Sequence, residues 1–176
     1  MNAAAAILLA SVSMFRMGGD IRLDDAPDGA VLRTMGGDIR VSRAGGKVVA
    51  KTMGGDIEIE ALDGAADVGT MGGEIRVTVV RSGAGHDLQL RSLGGDIALT
   101  LPHDFGAEFD IELEEDDSGN NDHRITSDFP LQQRQSTRWR LFRSDKVVRT
   151  ATGRAGSGIN RVRITTIGSN IEIRRK

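Results

Sequence analysis

Thr34-Met35-Gly36-Gly37-Asp38-Ile39-Arg40-Val41 is the stretch whose reading decides the fold. Close copies stand at Met17–Leu23 (MGGDIRL), Met53–Ile59 (MGGDIEI) and Met71–Val77 (MGGEIRV), and looser ones at Leu93–Leu99 (LGGDIAL) and Ile167–Ile173 (IGSNIEI). The leading Met recurs at 17, 35, 53 and 71, an interval of 18 residues three times running. A fixed period this short means one supersecondary unit stacked along an axis. It predicts an all-β chain, a parallel β-solenoid (β-helix) with 18-residue coils.

The residues around the motif alternate. Five and three positions before the leading Met stand Ala30 and Leu32, Val48 and Ala50, Ala66 and Val68, Leu88 and Leu90, Val162 and Ile164. Four and six positions after it stand Ile, Leu or Val, while the residues between are charged in most copies: Arg22, Arg33, Arg40, Lys51, Glu58, Arg76, Arg91 and Glu172. Period-two alternation on both sides of a Gly-Gly corner gives each unit two short strands, with one face in and one out. The glycines Gly36, Gly37, Gly54, Gly55, Gly72, Gly73, Gly94 and Gly95 are the structural corners, where close backbone approach or positive φ is needed. Thr34, Thr52, Thr70, Ser92 and Thr166 precede the corners, where stacked hydroxyls can bond along a column. Met17, Met35, Met53 and Met71 read as a buried ladder and not as copper or haem ligands, because Leu93 and Ile167 keep the size and discard the sulfur. On that reading Met53→Ala costs roughly 2–5 kcal/mol.

Beyond residue 77 the period loosens. The step from Met71 to Leu93 is 22 residues, which puts Arg81–His86 in a longer loop. Ala107, Phe109, Ile111 and Leu113 alternate with Glu108, Asp110, Glu112 and Glu114 and predict a strand with the apolar set inward. Residues 116–123 (DDSGNNDH) read as a polar loop, 124–131 as an extended segment, and 139–148 as two strands about a Ser-Asp-Lys turn. Residues 153–173 supply a closing unit, giving about seven coils and a length of some 35 Å at the usual strand spacing.

The 176 residues contain 23 glycines, no cysteine and 3% aromatic residues, so Val, Ile and Leu must fill the interior and disulfides and thiolate chemistry are excluded. Residues 1–131 hold 11 Lys and Arg against 23 Asp and Glu, a net −12, and residues 132–176 hold 12 against 2, a net +10. This predicts a molecule that is electrically bipolar along its length. Residues 1–11, apolar but with no Lys or Arg, read as a capping segment, a leader remnant or a truncated coil, and residues 12–176 as one domain.

The runs LPHDFGAEFDIEL (101–113), RITSDFPL (124–131) and GRAGSGINRVRITTIGSNIEI (153–173) resemble the bacterial adhesin-like family of β-strand-repeat proteins of unknown function, relatives of the head GIN-domain proteins. The resemblance extends from about residue 12 to the end. It implies a β-solenoid of the cell envelope, periplasmic or at the cell surface, without established enzymatic activity.

Candidate chemistry is sparse. The column Asp20, Asp38, Asp56, Glu74 and Asp96 is the one arrangement to weigh for calcium, but calcium β-rolls use two nine-residue half-repeats and a Gly-x-Asp that are missing here. Solvated corner carboxylates, able to accept hydrogen bonds from nearby backbone N–H groups, are the expected role. His86, His103 and His123 lack metal spacing and read as surface residues. Glu114, Glu115, Asp116 and Asp117 read as a solvated acidic strand end. Arg138, Arg140, Arg143 and Arg149, with Trp139 and Phe142 among them, read as a solvated basic face or an anion-facing surface. These features predict a non-enzymatic scaffold or binding module with no cofactor, no specific nucleic acid and no transmembrane segment. Its expected partners are cell-surface polymers or further copies joined head to tail, acidic end to basic end. A carbohydrate-active β-helix enzyme and a calcium-binding repeat protein are the alternatives.

Overall fold

The computed structural model describes residues 11–116, 123–138 and 146–176. The apolar run Ile7–Leu9 and the residues Asp117, Trp139, Arg140, Phe142 and Arg143 therefore lie outside the described residues, as do the side chains of Asp116 and Arg138. Everything regular that is described is β-strand.

The first five units run β1 (Val12–Arg16), β2 (Ile21–Ala26), β3 (Gly29–Thr34), β4 (Ile39–Gly45), β5 (Lys47–Lys51), β6 (Ile57–Asp63), β7 (Ala66–Thr70), β8 (Ile75–Val79), β9 (Leu88–Ser92) and β10 (Ile97–Leu101). Then follow β11 (Ala107–Asp116), β12 (Ile125–Ser127), β13 (Gln132–Arg138), β14 (Lys146–Ala155), β15 (Asn160–Ile167) and β16 (Ile171–Arg175). Through β10 the chain alternates between two sheets, odd strands entering one and even strands the other. The nine-stranded sheet has the order β1-β3-β5-β7-β9-β15-β11-β14-β13, and the seven-stranded sheet β12-β16-β10-β8-β6-β4-β2. Within the 18-residue period the register is one period per step, Ala30 beside Val48 and Ile39 beside Ile57, so like residues lie over like. The four-residue insertion is absorbed in the loop 80–87, after which Val68 pairs with Leu90.

One core joins the two sheets. It contains the predicted inward columns, among them Leu32, Ala50, Val68 and Leu90 from one sheet and Ile39, Ile57, Ile75 and Ile97 from the other. Ala107, Phe109, Ile111 and Leu113 also point inward as expected.

The Met ladder is not part of that core. Met17, Met35, Met53 and Met71 are 78%, 46%, 49% and 50% exposed, and Leu93 is 49% exposed. Alternation along the strand explains the correction: the residues five and three before the Met are inward, so the next inward position is the one immediately before it. There sit Thr34, Thr52, Thr70, Ser92 and Thr166, all buried. A buried hydroxyl needs a partner. In four of the five it has one, Thr34, Thr52, Thr70 and Ser92 donating to the carbonyls of Gly19, Gly37, Gly55 and Gly73 in the preceding unit. The hydroxyl of Thr166 is buried without a partner. Polar residues hold the inward corner, and the Met is pushed outward.

The two glycines of each corner differ in role. A Cβ on Gly36, Gly54 or Gly72 would meet nothing within 4 Å, whereas one on Gly37, Gly55, Gly73 or Gly95 would lie 1.9–2.2 Å from the carbonyl oxygen of the equivalent glycine one unit back. The second glycine is required for stacking distance.

The last unit does not stack in chain order. Strand β15 lies between β9 and β11, and β16 between β10 and β12. The device is local: β14 runs antiparallel to β11, and Gly156 and Gly158, at φ +54° and +64°, turn the chain across the start of β11. A Cβ on Gly106 would lie 2.3 Å from the Ser157 hydroxyl oxygen and 3.0 Å from its backbone nitrogen, so the two segments cross closely there. Strand β13 adds a further antiparallel edge on β14. The nine-stranded sheet is thus mixed at one end, while the pairings of the seven-stranded sheet are all parallel.

This insertion also corrects the bipolar expectation. Arg161 and Arg163 of β15 stand beside Glu108 and Asp110 of β11, and Arg154 of β14 stands on the other side of Glu108. Arg163 Nε is 3.1 Å from Asp110 Oδ2. Arg154, Arg161 and Arg163 are thus laid among the earlier acids, and the charge split along the chain is not a split along the stack at these strands.

Candidate binding surface

The acidic ladder sits where the corner enters the seven-stranded sheet. Its carboxylates act on the backbone: the Oδ1 atoms of Asp20, Asp38 and Asp56 accept the N–H of Asp38, Asp56 and Glu74, each one unit on, at 3.2, 2.9 and 2.8 Å. Glu74 is one methylene longer and turns to Arg76 instead. Asp96 resumes the pattern by accepting from Asn170 N–H at 2.8 Å, and Asn170 Oδ1 accepts from Arg124 N–H at 3.0 Å. Asp20, Asp38, Asp56 and Asp96 therefore each clamp a neighbouring unit, and the donated N–H groups offset the repulsion of stacked like charges.

The outward row of the seven-stranded sheet runs Arg22, Arg40, Glu58, Arg76, Ala98, Glu172 and Thr126. Signs alternate in part, with Arg40 Nε 3.4 Å from Glu58, and Arg174 joined to Glu172 by two bonds of 2.8 and 2.9 Å. Hydrogen bonding to Glu172 raises the Arg174 pKa further above its ordinary value. Ala98 breaks the row of long side chains. Around it lies an open depression of about 500 Å³, bordered by Glu58, Arg76, Thr100, Glu172 and Arg174.

At the mixed end, Arg149 is held. It bonds to the His123 carbonyl, and its Nη2 is 3.3 Å from Glu115 Oε2. Glu115 is 4% exposed, so it is not the solvated residue expected from the sequence, and its Oε1 has no partner. Arg124, Gln133, Arg134, Gln135 and Arg149 line a second depression of about 420 Å³. Of the four arginines expected to face anions, Arg149 alone has a described side chain.

His86 also departs from its surface assignment. It is 8% exposed, its Nε2 is 3.2 Å from Asp63 Oδ1, and its ring meets Phe105 edge-on at 6.3 Å. The surrounding loop is fixed by Asn160, whose Oδ1 accepts from His86 N–H and whose Nδ2 donates to the Gly83 and Gly106 carbonyls. Nearby in the chain, Ser82 donates to Asp104 at 2.5 Å and holds that carboxyl below its ordinary pKa. Asn160 had no motif around it to mark it; its signal is only that a buried amide at a strand start needs three partners. His103 is exposed and His123 half-buried.

Among the described residues, no three or more His, Cys, Asp or Glu side chains are grouped so as to hold a metal ion. Among them, too, no helix is long and apolar enough to cross a membrane. Compared with protein-family models, curated proteins and solved structures, the chain matches none.

Proposed function

We propose that this chain is a β-solenoid binding module of the bacterial cell envelope, an adhesin-like scaffold without catalytic activity, which grips an extended polar polymer along its seven-stranded face. The one-period register and the alternation of successive strands between two sheets support the solenoid reading. The observation that carries the binding reading is the depression about Ala98, where one small residue interrupts a row of paired Arg and Glu side chains. Guanidinium, carboxylate and Thr100 hydroxyl groups spaced at strand repeats suit a chain of hydroxylated units such as a cell-surface polysaccharide. The resemblance of residues 101–173 to adhesin-like repeat proteins supports the same compartment.

The test is a glycan-array and turnover screen with the wild-type chain and Ala98→Arg. Polymer retention that is lost in the filled variant, with no product released, is the expected result. Cleavage that a single carboxylate substitution abolishes would favour the carbohydrate-active reading instead.

A further inference from the structure

The exposed Met column keeps an apolar character that the outward columns of the flanking described strands do not. One period to the next, the outward positions of the flanking strands change character freely: Phe15, Arg33, Lys51, Gly69, Arg91 and Thr165 form one register column. The corner position stays apolar in all six copies, Met17, Met35, Met53, Met71, Leu93 and Ile167, although the first five are about half exposed or more. Core packing does not impose that constancy, because these side chains are not in the core. From Met17 to Leu93 the stripe is about 19 Å long at the usual strand spacing. A linear apolar patch rimmed by charge marks an interaction site.

The rims say what fits it. On the nine-stranded side stand Arg33, Lys51 and, past Gly69, Arg91, with Lys51 held by Asp67; on the seven-stranded side stand Asp20, Asp38, Asp56, Glu74 and Asp96, of which Asp20 and Glu74 are held by Arg22 and Arg76. A partner must therefore offer an apolar line at the same spacing, with acidic groups opposite Arg33 and Arg91 and basic groups opposite Asp38, Asp56 and Asp96. A second copy of this chain does so in one orientation only. If the two-fold axis lies parallel to the stripe, the basic rim of each molecule faces the acidic rim of the other; if it lies across the stripe, like rims meet. We infer that the Met corner is a self-association surface, on which two copies pack side by side and parallel, Met35 against Met35 and Met71 against Met71. The contact is isologous and closes at two, unlike an end-to-end contact. It is narrow for a protein interface, so the dimer is weak and concentration-dependent. The inference stands independently of the polymer-binding face, which lies on the outward row through Ala98.

Sedimentation equilibrium of the full chain over a concentration series tests it. The weight-average mass is expected to rise from 18.8 kDa toward twice that value, less readily at high salt, and no further. The double variant Met35→Lys/Met71→Lys is expected to weaken association at least about tenfold with unchanged thermal stability, since burying unpaired charge is costly. Because the chain has no cysteine, Met35→Cys and Met71→Cys can each be oxidised alone. Both should form disulfide-linked homodimers in the parallel arrangement, whereas an antiparallel one cannot bring both positions onto their own copies. A monomer at every concentration overturns the inference, as does equal association by the Lys variant. Binding of a monomeric protein to phosphatidylcholine vesicles would assign the stripe to lipid instead.

Discussion

Thr52 Oγ1 lies 2.9 Å from the carbonyl oxygen of Gly37, eighteen residues before Gly55, which in turn directs its own N–H at the same hydroxyl. This hydroxyl replaces apolar packing at the inward corner and leaves Met53 outside. Thr52→Val, nearly isosteric, is therefore expected to cost about 1–3 kcal/mol by orphaning a buried carbonyl. Met53→Ala, by contrast, should cost well under about 1 kcal/mol. Urea denaturation of the two variants checks the order, and a larger loss for Met53→Ala would restore the buried ladder.

Adjacent glycines should behave oppositely. Gly54→Ala meets no atom and is expected to be neutral or slightly stabilising, by up to about 1 kcal/mol, through the unfolded chain. In Gly55→Ala the new methyl would sit 2.2 Å from the Gly37 oxygen, so units must part. Thermal melts should separate the pair by many degrees, and equal midpoints would refute the stacking geometry.

Asn160→Ala removes one bond to each of three backbone groups in two segments, at Gly83 and His86 of the loop 80–87 and at Gly106 before β11. With roughly 1–3 kcal/mol for each buried group left unpaired, its cost should exceed that of any single ladder hydroxyl. Hydrogen exchange offers a local check: amide protection at residues 83–88 and 106–108 should fall first, and a uniform change over the molecule would contradict the clamp.

Removing Arg149 leaves the Glu115 carboxylate buried and uncompensated. Arg149→Met is expected to lose toward the lower end of roughly 3–5 kcal/mol, since the arginine keeps some solvent contact. Adding Glu115→Leu to that variant should recover most of the loss. A double-mutant cycle measures this, and additive losses would mean the two side chains are not coupled.

Much of this protein was legible in its sequence because the repeat is translational. An 18-residue period with alternation on both flanks dictates two strands per unit, and the inward columns of Ile, Leu and Val follow from the pleat. The Asp clamp was legible too, since an acid after Gly-Gly has backbone N–H groups within reach. Which way the corner residues face was not, because an apolar Met and a hydroxylated Thr sit side by side and only the hydrogen bond to the preceding unit's carbonyl decides which turns inward. Tertiary structure alone decided the place of the last unit. Its motif matches the others, so the sequence allowed it to continue the stack; the glycine turn across Gly106 and the Asn160 clamp carry β15 back between β9 and β11. That crossing joins residues far apart in the chain, such as Arg163 and Asp110, and no local period encodes a pairing between segments outside the repeat.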